Sequence, residues 1–306
     1  MTSPFGDLVV IANPRSGRGR VAKELPELER QLNARRLRFR IVETEEPGHA
    51  SEIAREALRG GERFMVAVGG DGTVHEVVNG MIEDGRPVAE GAVLGVVPAG
   101  SGCDFVRTFG LPQDVARAVR HLEGDRLYPI DVARVDYTQN GETVTRYIPN
   151  IAEAGLGGAV VARAERLPRW LGRSRYFWGF WLSVRGYKAC TITVHADRKE
   201  FEGRANNVVV ANGQFYGGGM KISPRSYPGD GLLDIQISTG PKSEAFTMIP
   251  KIYKGEHVPH PHIKEMRGRT ITVDAERPLP LEGDGEVLGT TPATFTVLPE
   301  IISLKI

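Results

Sequence analysis

Apolar and polar positions follow two alternating patterns along the first part of the chain. Short β-branched apolar runs are followed by segments in which apolar residues recur every three or four positions. The short runs predict strands at residues 8–12, 39–43, 64–68 and 93–97. The longer segments predict helices at residues 21–33, 49–58, 73–82 and 115–121. This alternation indicates an α/β fold with a parallel sheet that helices cover on both faces.

The pattern changes near Leu127. From Asp131 onward, short β-rich runs are separated by Gly, Pro and Asn turns, which is typical of a β-sandwich or a barrel-like domain. Two helical stretches, at residues 157–189 and 244–254, interrupt these runs. We therefore expect an N-terminal α/β domain over residues 1–127 and a second, β-rich, sandwich-like domain over residues 128–306.

Composition narrows the classes of function. A chain of 306 residues with 41% hydrophobic residues is long enough for two cores. The net charge of +1 gives no reason to expect nucleic acid as a partner. Two cysteines cannot form a disulfide framework, which favours a reducing, cytoplasmic location. We expect neither a secretory signal nor a membrane-spanning segment.

Three glycine-bearing loops follow predicted strands. They read "NPRSGRG" (13–19), "GGDGTVH" (69–75) and "PAGSGCDF" (98–105). In a parallel sheet the carboxyl ends of the strands lie at one edge, so these loops should gather there. Backbone N–H groups at helix starts attract phosphate, and we expect a phosphate-bearing ligand at this edge.

An aspartate, Asp71, stands among the glycines of the second loop. A carboxylate would repel phosphate unless a cation bridges them, and Mg²⁺ prefers oxygen ligands. The residues therefore suggest a nucleotide with Mg²⁺ near Asp71. A turn in which Asp71 serves the helix N-terminus is the alternative.

Five motifs resemble the catalytic domain of the diacylglycerol kinase family, which includes bacterial lipid kinases and sphingosine kinases. Besides the three loops these are "GGGMKISPRSYPGDGLLD" (217–234) and "LEGDGE" (281–286), and the similarity keeps the same order over almost the whole chain. The motif GGDGT alone is also found in NAD kinases and phosphofructokinases. The later two motifs make the resemblance specific to lipid kinases.

The resemblance implies that the first domain binds ATP. The matching positions are Asn13, Pro14, Arg15, Ser16, Gly17, Thr44, Gly69, Gly70, Asp71, Gly72, Thr73, Val74, His75 and Ser101. Cys103 stands where the family commonly has asparagine, which bears on a side-chain hydrogen bond at that position. Asp71 would act through the catalytic Mg²⁺ or its waters.

A structural Mg²⁺ is implied on the loop "SYPGDGLLD". Its ligands would be the Asp230 carboxylate and the backbone carbonyl groups of Tyr227 and Leu232. The alternative is an Asp-Gly turn between strands, which needs no metal.

Asp284 and Glu286 are candidates for the base that accepts the proton of the acceptor hydroxyl. In an extended segment they would lie on one face, with Gly285 leaving space between them. The resemblance points at the pair without deciding which residue acts. A hairpin turn is the alternative.

The sequence thus predicts a cytoplasmic, ATP- and Mg²⁺-dependent lipid kinase, with diacylglycerol as the acceptor and phosphatidic acid as the product. It would meet its lipid peripherally at a membrane surface, and a homodimer is a possible assembly. An NAD kinase and a non-catalytic nucleotide- or lipid-binding protein are the alternatives.

Two further segments complete the prediction. Aromatic and basic residues from Trp170 to Lys188 could contact lipid, or form a helix that packs its aromatics on the sheet. The segment "HVPHPH" (257–262) reads as an exposed loop that binds metal only adventitiously, and we assign it no role.

Overall fold

The computed structural model describes residues 3–99, 103–168, 171 and 174–306. The chain forms two compact units. The first comprises Met1–Val132, Gly217–Gly219 and Leu298–Ile306. The second comprises Ala133–Tyr216 and Met220–Val297. The predicted boundary after residue 127 stays a prediction.

The first unit contains a parallel sheet with helices. Its strands are β1 (Leu8–Ala12), β2 (Phe39–Glu43), β3 (Phe64–Gly69), β4 (Ile82–Glu83), β5 (Arg86–Pro87) and β6 (Val93–Pro98). Its helices are α1 (Ser16–Ala34), α2 (His49–Arg59), α3 (Asp71–Met81), α4 (Asp104–Thr108) and α5 (Val115–Ala118), and a 3₁₀ turn follows at Val119–Leu122. The order β6-β3-β1-β2 is parallel throughout, so the predicted fold class of this part is confirmed.

Burial explains why these runs form inner strands. All residues of β1, β3 and β6 are buried, as a sheet covered on both faces requires. Helix α2 buries Ala50, Ile53, Ala54, Ala57 and Leu58 on one face. Gly80 of α3 lets α2 approach, because a Cβ there would lie 2.3 Å from the Ser51 carbonyl oxygen.

The second unit is β-rich and antiparallel. Its strands are β7 (Leu127–Gln139), β8 (Glu142–Ile148), β9 (Ile151–Gly155), β10 (Cys190–Ala196), β11 (Lys199–Ala205), β12 (Asn207–Ala211), β13 (Leu233–Ser238), β14 (Ile263–Gly268), β15 (Thr270–Ala275), β16 (Pro280–Gly283) and β17 (Glu286–Lys305), of which β7 begins and β17 ends in the first unit. The sheet with the strand order β14-β13-β12-β9-β16-β17 contributes side chains to an aliphatic core. The predicted β-rich second domain is confirmed.

The helices of the second unit differ in extent from the prediction. The stretch predicted as helical over 157–189 forms α6 (Leu156–Arg166) and α7 (Ser174–Gly186), and the stretch 244–254 forms α8 (Ala245–Lys254). In the part of the chain that the structure describes, no helix has both the length and the apolarity to cross a bilayer.

Candidate active site

The loops after β1, β3 and β6 meet at the carboxyl edge of the parallel sheet. The Asn13 N–H donates to the Val68 carbonyl oxygen at 3.2 Å, and the Ala99 N–H donates to that of Gly69 at 3.0 Å. The predicted gathering of the three loops is therefore confirmed for the described residues. Ser101 lies outside them.

The first loop continues into the first turn of α1, where the backbone is not yet helical. Asn13 Oδ1 accepts the Arg15 N–H at 3.1 Å, which turns the chain after β1. Gly17, Arg18 and Gly19 have φ angles of 59°, 63° and 79°. These three consecutive left-handed residues interrupt the first turn of α1, and the Gly19 N–H donates to the Arg15 carbonyl oxygen at 3.3 Å. Thr44 follows β2 at the same edge, where its N–H bonds the Ala12 carbonyl oxygen at 2.9 Å.

Asp71, the first residue of α3, joins the second loop to the third. Its Oδ1 accepts the Phe105 N–H at 2.9 Å and the Cys103 thiol at 3.4 Å. The carboxylate therefore serves the start of α4 and not that of α3. The Cys103 thiol supplies a side-chain hydrogen bond where the family commonly has asparagine. Burial, with the neighbouring Asp104 carboxylate, raises the pKa of Asp71 to about 6.

Asp104 anchors the segment Gly217–Gly219, which belongs to the first unit. Its Oδ2 accepts the Gly218 N–H at 2.6 Å, and its Oδ1 accepts Arg107 Nε at 3.1 Å. Gly217, Gly218 and Gly219 have φ angles of 59°, 87° and 105°, a region that favours glycine. Asp104 belongs to the third loop motif, and the motif alone does not indicate this role.

The segment that carries Asp284 and Glu286 is a tight hairpin turn between β16 and β17. Asp284 and Gly285 have φ angles of 52° and 86°, and Gly283 pairs with Glu286 across the turn. The expectation of an extended segment with both carboxylates on one face is wrong, because Asp-Gly favours the type I′ hairpin. The Asp284 N–H donates to the Ile151 carbonyl oxygen at 2.9 Å, and Asp284 Oδ1 accepts the Ile151 N–H at 3.0 Å.

Two of the three ligands predicted for a structural Mg²⁺ on the loop "SYPGDGLLD" already accept hydrogen bonds within the protein. Asp230 Oδ1 accepts the Leu232 N–H at 3.1 Å, and Arg267 Nη2 lies 2.5 Å from Asp230 Oδ2. The Tyr227 carbonyl oxygen accepts the Gly229 N–H at 2.8 Å. One carboxylate with carbonyl oxygens is a donor set that Mg²⁺ accepts, but a cation would have to displace the Arg267 guanidinium. The arrangement fits the metal-free Asp-Gly turn better.

Two family models match the chain. The diacylglycerol kinase catalytic domain matches residues 7–135, and the YegS C-terminal NAD kinase beta sandwich-like domain matches residues 150–306, about half of the chain. The chain belongs to the diacylglycerol kinase family. It is a lipid kinase, as the motifs predict.

Similar proteins align with this lipid kinase over nearly its whole length. A diacylglycerol kinase of Bacillus subtilis is 29% identical over 94% of this chain and 92% of its own length. A crystal structure of a diacylglycerol kinase from Bacillus anthracis has a TM-score of 0.74 at 24% identity and covers 99% of this chain and 97% of that one, which shows the shared fold. Yeast NADH kinase complexed with NADH has a TM-score of 0.53 at 10% identity, over 97% of this chain and 82% of that one, so the likeness to NAD kinases is limited to the fold.

This lipid kinase has two buried glutamates next to the Asp284 turn. The sequence motifs did not identify them. Glu153 on β9 and Glu282 on β16 are direct cross-strand partners and are 4% and 2% exposed. Glu282 Oε2 accepts the Gly285 N–H at 2.9 Å, and Glu153 Oε1 accepts Asn207 Nδ2 at 3.1 Å. The Tyr216 hydroxyl also bonds Glu153.

Desolvation raises the pKa of Glu153 and that of Glu282, and repulsion by Glu153 raises the pKa of Glu282 further. Two adjacent buried carboxyl groups cannot both ionise at low cost, so the pair retains a proton above the usual glutamate range. The signal in the sequence was a single glutamate inside each of two otherwise apolar strands.

Proposed function

We propose that the protein transfers the γ-phosphoryl group of ATP, with Mg²⁺, to a lipid hydroxyl, and that diacylglycerol is the acceptor and phosphatidic acid the product. The observation that carries a lipid acceptor is an apolar surface of the second unit. Trp178 and Leu182 of α7 are 51% and 43% exposed, and Phe246 of α8 is 54% exposed. We call these three side chains, together with the neighbouring ring of Trp181, the aromatic surface.

The aromatic surface suits an acyl chain better than a dinucleotide. A cavity of about 410 Å³ is lined by Trp178, Trp181, Leu182, Val184 and Arg185. The ring of Trp181 packs against that of Phe246 with centroids 4.7 Å apart and planes inclined at 46°, a contact that joins α7 to α8. Apolar walls gain from burying alkyl carbon and offer a ribose or a phosphate few partners.

Basic residues on the same two helices support contact with an anionic membrane. Arg185 lies in the last turn of α7, and Lys251 and Lys254 lie in the last turn of α8. Aromatic side chains beside lysine and arginine give peripheral, reversible binding to anionic lipid. We propose that the protein meets the bilayer from the cytoplasm through this surface. Trp170, the first residue of the segment predicted to contact lipid, lies outside the described residues.

The first unit would hold the nucleotide. The loops that begin at Asn13, Gly70 and Ala99 place backbone N–H groups at one sheet edge, where phosphate binding is favourable. The donor set fits Mg²⁺, because Asp71 and Asp104 offer carboxylate oxygens, and a bound cation would offset the burial and the repulsion by Asp104 that raise the pKa of Asp71. Mg²⁺ bound with ATP would neutralise phosphate charge. Asp71 orients the third loop through the Phe105 N–H.

We assign the general base to Glu286 and an anchoring role to Asp284. The Asp284 carboxylate already accepts the Ile151 N–H, so protonating it would weaken the turn. Glu286 begins β17 directly after the turn and is only partly buried. The hydrogen bonds of Asp284 and Glu282 to Ile151 and Gly285 fix where the Glu286 backbone starts.

A substrate panel tests the proposal. The purified protein is incubated with labelled ATP and Mg²⁺ and with emulsified diacylglycerol, a long-chain amino alcohol or NAD in separate reactions. We expect transfer to the lipid pool, strongest with diacylglycerol, and no labelled product from NAD. Asp71→Ala, which removes the carboxylate between the loops, should abolish most turnover while the fold is kept. Transfer to NAD alone would contradict the lipid assignment and support the NAD kinase alternative.

A further inference from the structure

Three metal-ligating side chains converge where α8 and β14 begin. Glu244 directly precedes α8, while His260 and His262 precede β14. One ligand atom of each residue lies within 4.8 Å of the others. Two imidazole nitrogens with one carboxylate oxygen form the set that Zn²⁺ binds when a water completes a tetrahedron. We propose that Glu244, His260 and His262 form a zinc site that fastens the start of α8 to the edge strand β14.

The hydrogen bonds at the cluster show which proton the metal would replace. His262 Nδ1 lies 2.6 Å from Glu244 Oε1. Because an ionised carboxylate only accepts, this nitrogen carries a proton. The His262 backbone N–H points at His260 Nδ1 at 3.3 Å, so that nitrogen presents a lone pair. Binding would form zinc bonds to both Nδ1 atoms and to Oε1. It would break the contact of the His262 N–H with His260 Nδ1 and the hydrogen bond between His262 Nδ1 and Glu244 Oε1, and it would release the His262 Nδ1 proton to solvent.

The rearrangement needed to admit the ion is local and involves two hydrogen bonds. In a tetrahedral zinc site the ligand atoms lie about 3.4 Å apart, given bonds of about 2.0–2.2 Å. The contact between His262 Nδ1 and Glu244 Oε1 would lengthen by about 0.8 Å as the proton leaves. Glu244 and His260 are half-buried and His262 is exposed, so a hydrated ion can reach the site.

The surrounding backbone is built to bring these residues together. A Cβ at Gly240 would lie 2.2 Å from Glu244 Oε2 and 2.9 Å from His262 Cβ, so only glycine leaves room for the cluster. The Thr239 N–H donates to the His262 carbonyl oxygen at 2.8 Å. Asn206 Nδ2 donates to the Gly240 carbonyl oxygen at 2.6 Å. The ligands are therefore held in place before metal binds, which lowers the entropic cost of binding.

The proposed zinc site is distinct from the proposed nucleotide site, and its role goes beyond the proposed kinase activity. It uses imidazole ligands, which suit zinc, whereas the proposed nucleotide site uses carboxylates, which suit Mg²⁺. By fixing the start of α8, the metal would hold Phe246 of the aromatic surface against Trp181.

Calorimetric titration of the full chain with zinc chloride at pH 7.5 tests the proposal. We expect about one equivalent with a dissociation constant on the order of 10 µM or tighter. His262→Ala and Glu244→Gln should each weaken binding about tenfold or more. His195→Ala is the matched control. His195 lies on β10, is exposed, and has its Nε2 3.8 Å from Glu200 Oε1, so it is a histidine beside a glutamate outside the proposed site. Both cysteines are buried and should not contribute.

Two further measurements make the outcome decisive. Zinc should raise the melting temperature of the wild-type chain by a few degrees and that of Glu244→Gln by much less. Zinc binding should be lost at pH 5.5, because protons compete for imidazole. Absence of saturable binding, or equal binding by the wild-type chain and Glu244→Gln, would overturn the site. None of these readouts involves kinase activity, so this result is independent of the proposed function.

Discussion

Asp284 and Glu286 lie two residues apart, and the structure separates what their carboxylates do. Asp284 Oδ1 accepts the Ile151 N–H, and asparagine at that position would keep an accepting oxygen. Glu286→Gln should therefore lower kcat by about 10²- to 10⁴-fold, because it removes the proposed proton acceptor. Asp284→Asn should lower kcat by about tenfold or less. Both variants would be assayed with emulsified diacylglycerol, with ATP binding measured separately.

The relative size of the two defects is the informative result. ATP affinity should not change in either variant, since the residues proposed to bind ATP belong to the first unit. A larger loss of kcat in Asp284→Asn than in Glu286→Gln would reverse the assignment.

The buried pair Glu153 and Glu282 makes stability depend on pH. Their pKa values are raised in the folded state, so the folded chain binds more protons than the unfolded chain above about pH 4.5. The stabilisation is present below that pH and is lost as pH rises through the raised pKa. Each proton that the pair retains should make the free energy of unfolding fall by about 1.4 kcal/mol per pH unit in that window.

Glu153→Gln should lower this slope without removing it, because burial still raises the pKa of Glu282. Glutamine keeps an oxygen for Asn207 Nδ2, does not titrate, and removes the repulsion by which Glu153 raises the pKa of Glu282. Denaturant unfolding at pH 5.0, 6.0 and 7.5 measures the slope. Glu200→Gln, at an exposed position of β11, is the control and should keep the wild-type slope. A slope that stays at the wild-type value in Glu153→Gln would exclude a proton retained on Glu153 in this pH range.

Residues such as Glu153 and Glu282 could not be predicted to meet from the sequence. Their contact depends on the register between β9 and β16, which are far apart in the chain. Asp71, in contrast, was found because its loop carries a local glycine signature. The sequence also could not indicate that its carboxylate bonds the start of α4.

At the scale of elements, the strands of the first unit were predicted closely because their apolar runs are continuous. Strands β1 and β2 have the predicted limits, and β3 and β6 each extend one residue further. The helix predicted over 115–121 is instead a short α5 followed by a 3₁₀ turn. Periodicity cannot separate these two states, since apolar positions three apart suit both.

The helices α7 and α8 carry the prediction of membrane contact. Replacing Trp178 and Phe246 with serine removes two exposed aromatic side chains and leaves the buried Val184 in place. We expect vesicle binding to weaken about tenfold, since each ring loses partial burial in lipid. Sedimentation with phosphatidylcholine vesicles containing phosphatidylglycerol measures this, and binding should also fall with added salt.

A matched control is available in the first unit. Leu127 is 37% exposed, and Leu127→Ser should leave vesicle binding unchanged. Equal binding by the wild-type chain and the double variant, with the fold verified by circular dichroism, would place membrane contact elsewhere.

At the scale of the whole molecule, motifs that are scattered along the sequence are joined by hydrogen bonds. Asp71 of the GGDGT motif bonds Phe105 of the third loop, and Asp104 of that loop bonds Gly218 of the GGG motif. The order of the motifs and the change of pattern near Leu127 were sufficient to predict two domains and the family. The bonds between motifs depend on three-dimensional approach, so they became visible only in the structure.

The hydrogen bond between Asp104 and Gly218 joins positions 114 residues apart within the first unit. Its loss should therefore lower the stability of the whole chain. The Asp104 side chain is 5% exposed, and removing it leaves a Gly218 N–H and the Arg107 guanidinium without their acceptor. Asp104→Ala should therefore lower the free energy of unfolding by about 2–4 kcal/mol. Asp7→Ala, which removes an exposed carboxylate 3.6 Å from Arg38, should cost about 0.5 kcal/mol or less. Amide hydrogen exchange at residues 217–219 should speed up in Asp104→Ala alone. If both variants unfold at the same denaturant concentration and exchange at those amides is unchanged, the buried bond does not hold the glycine segment in place.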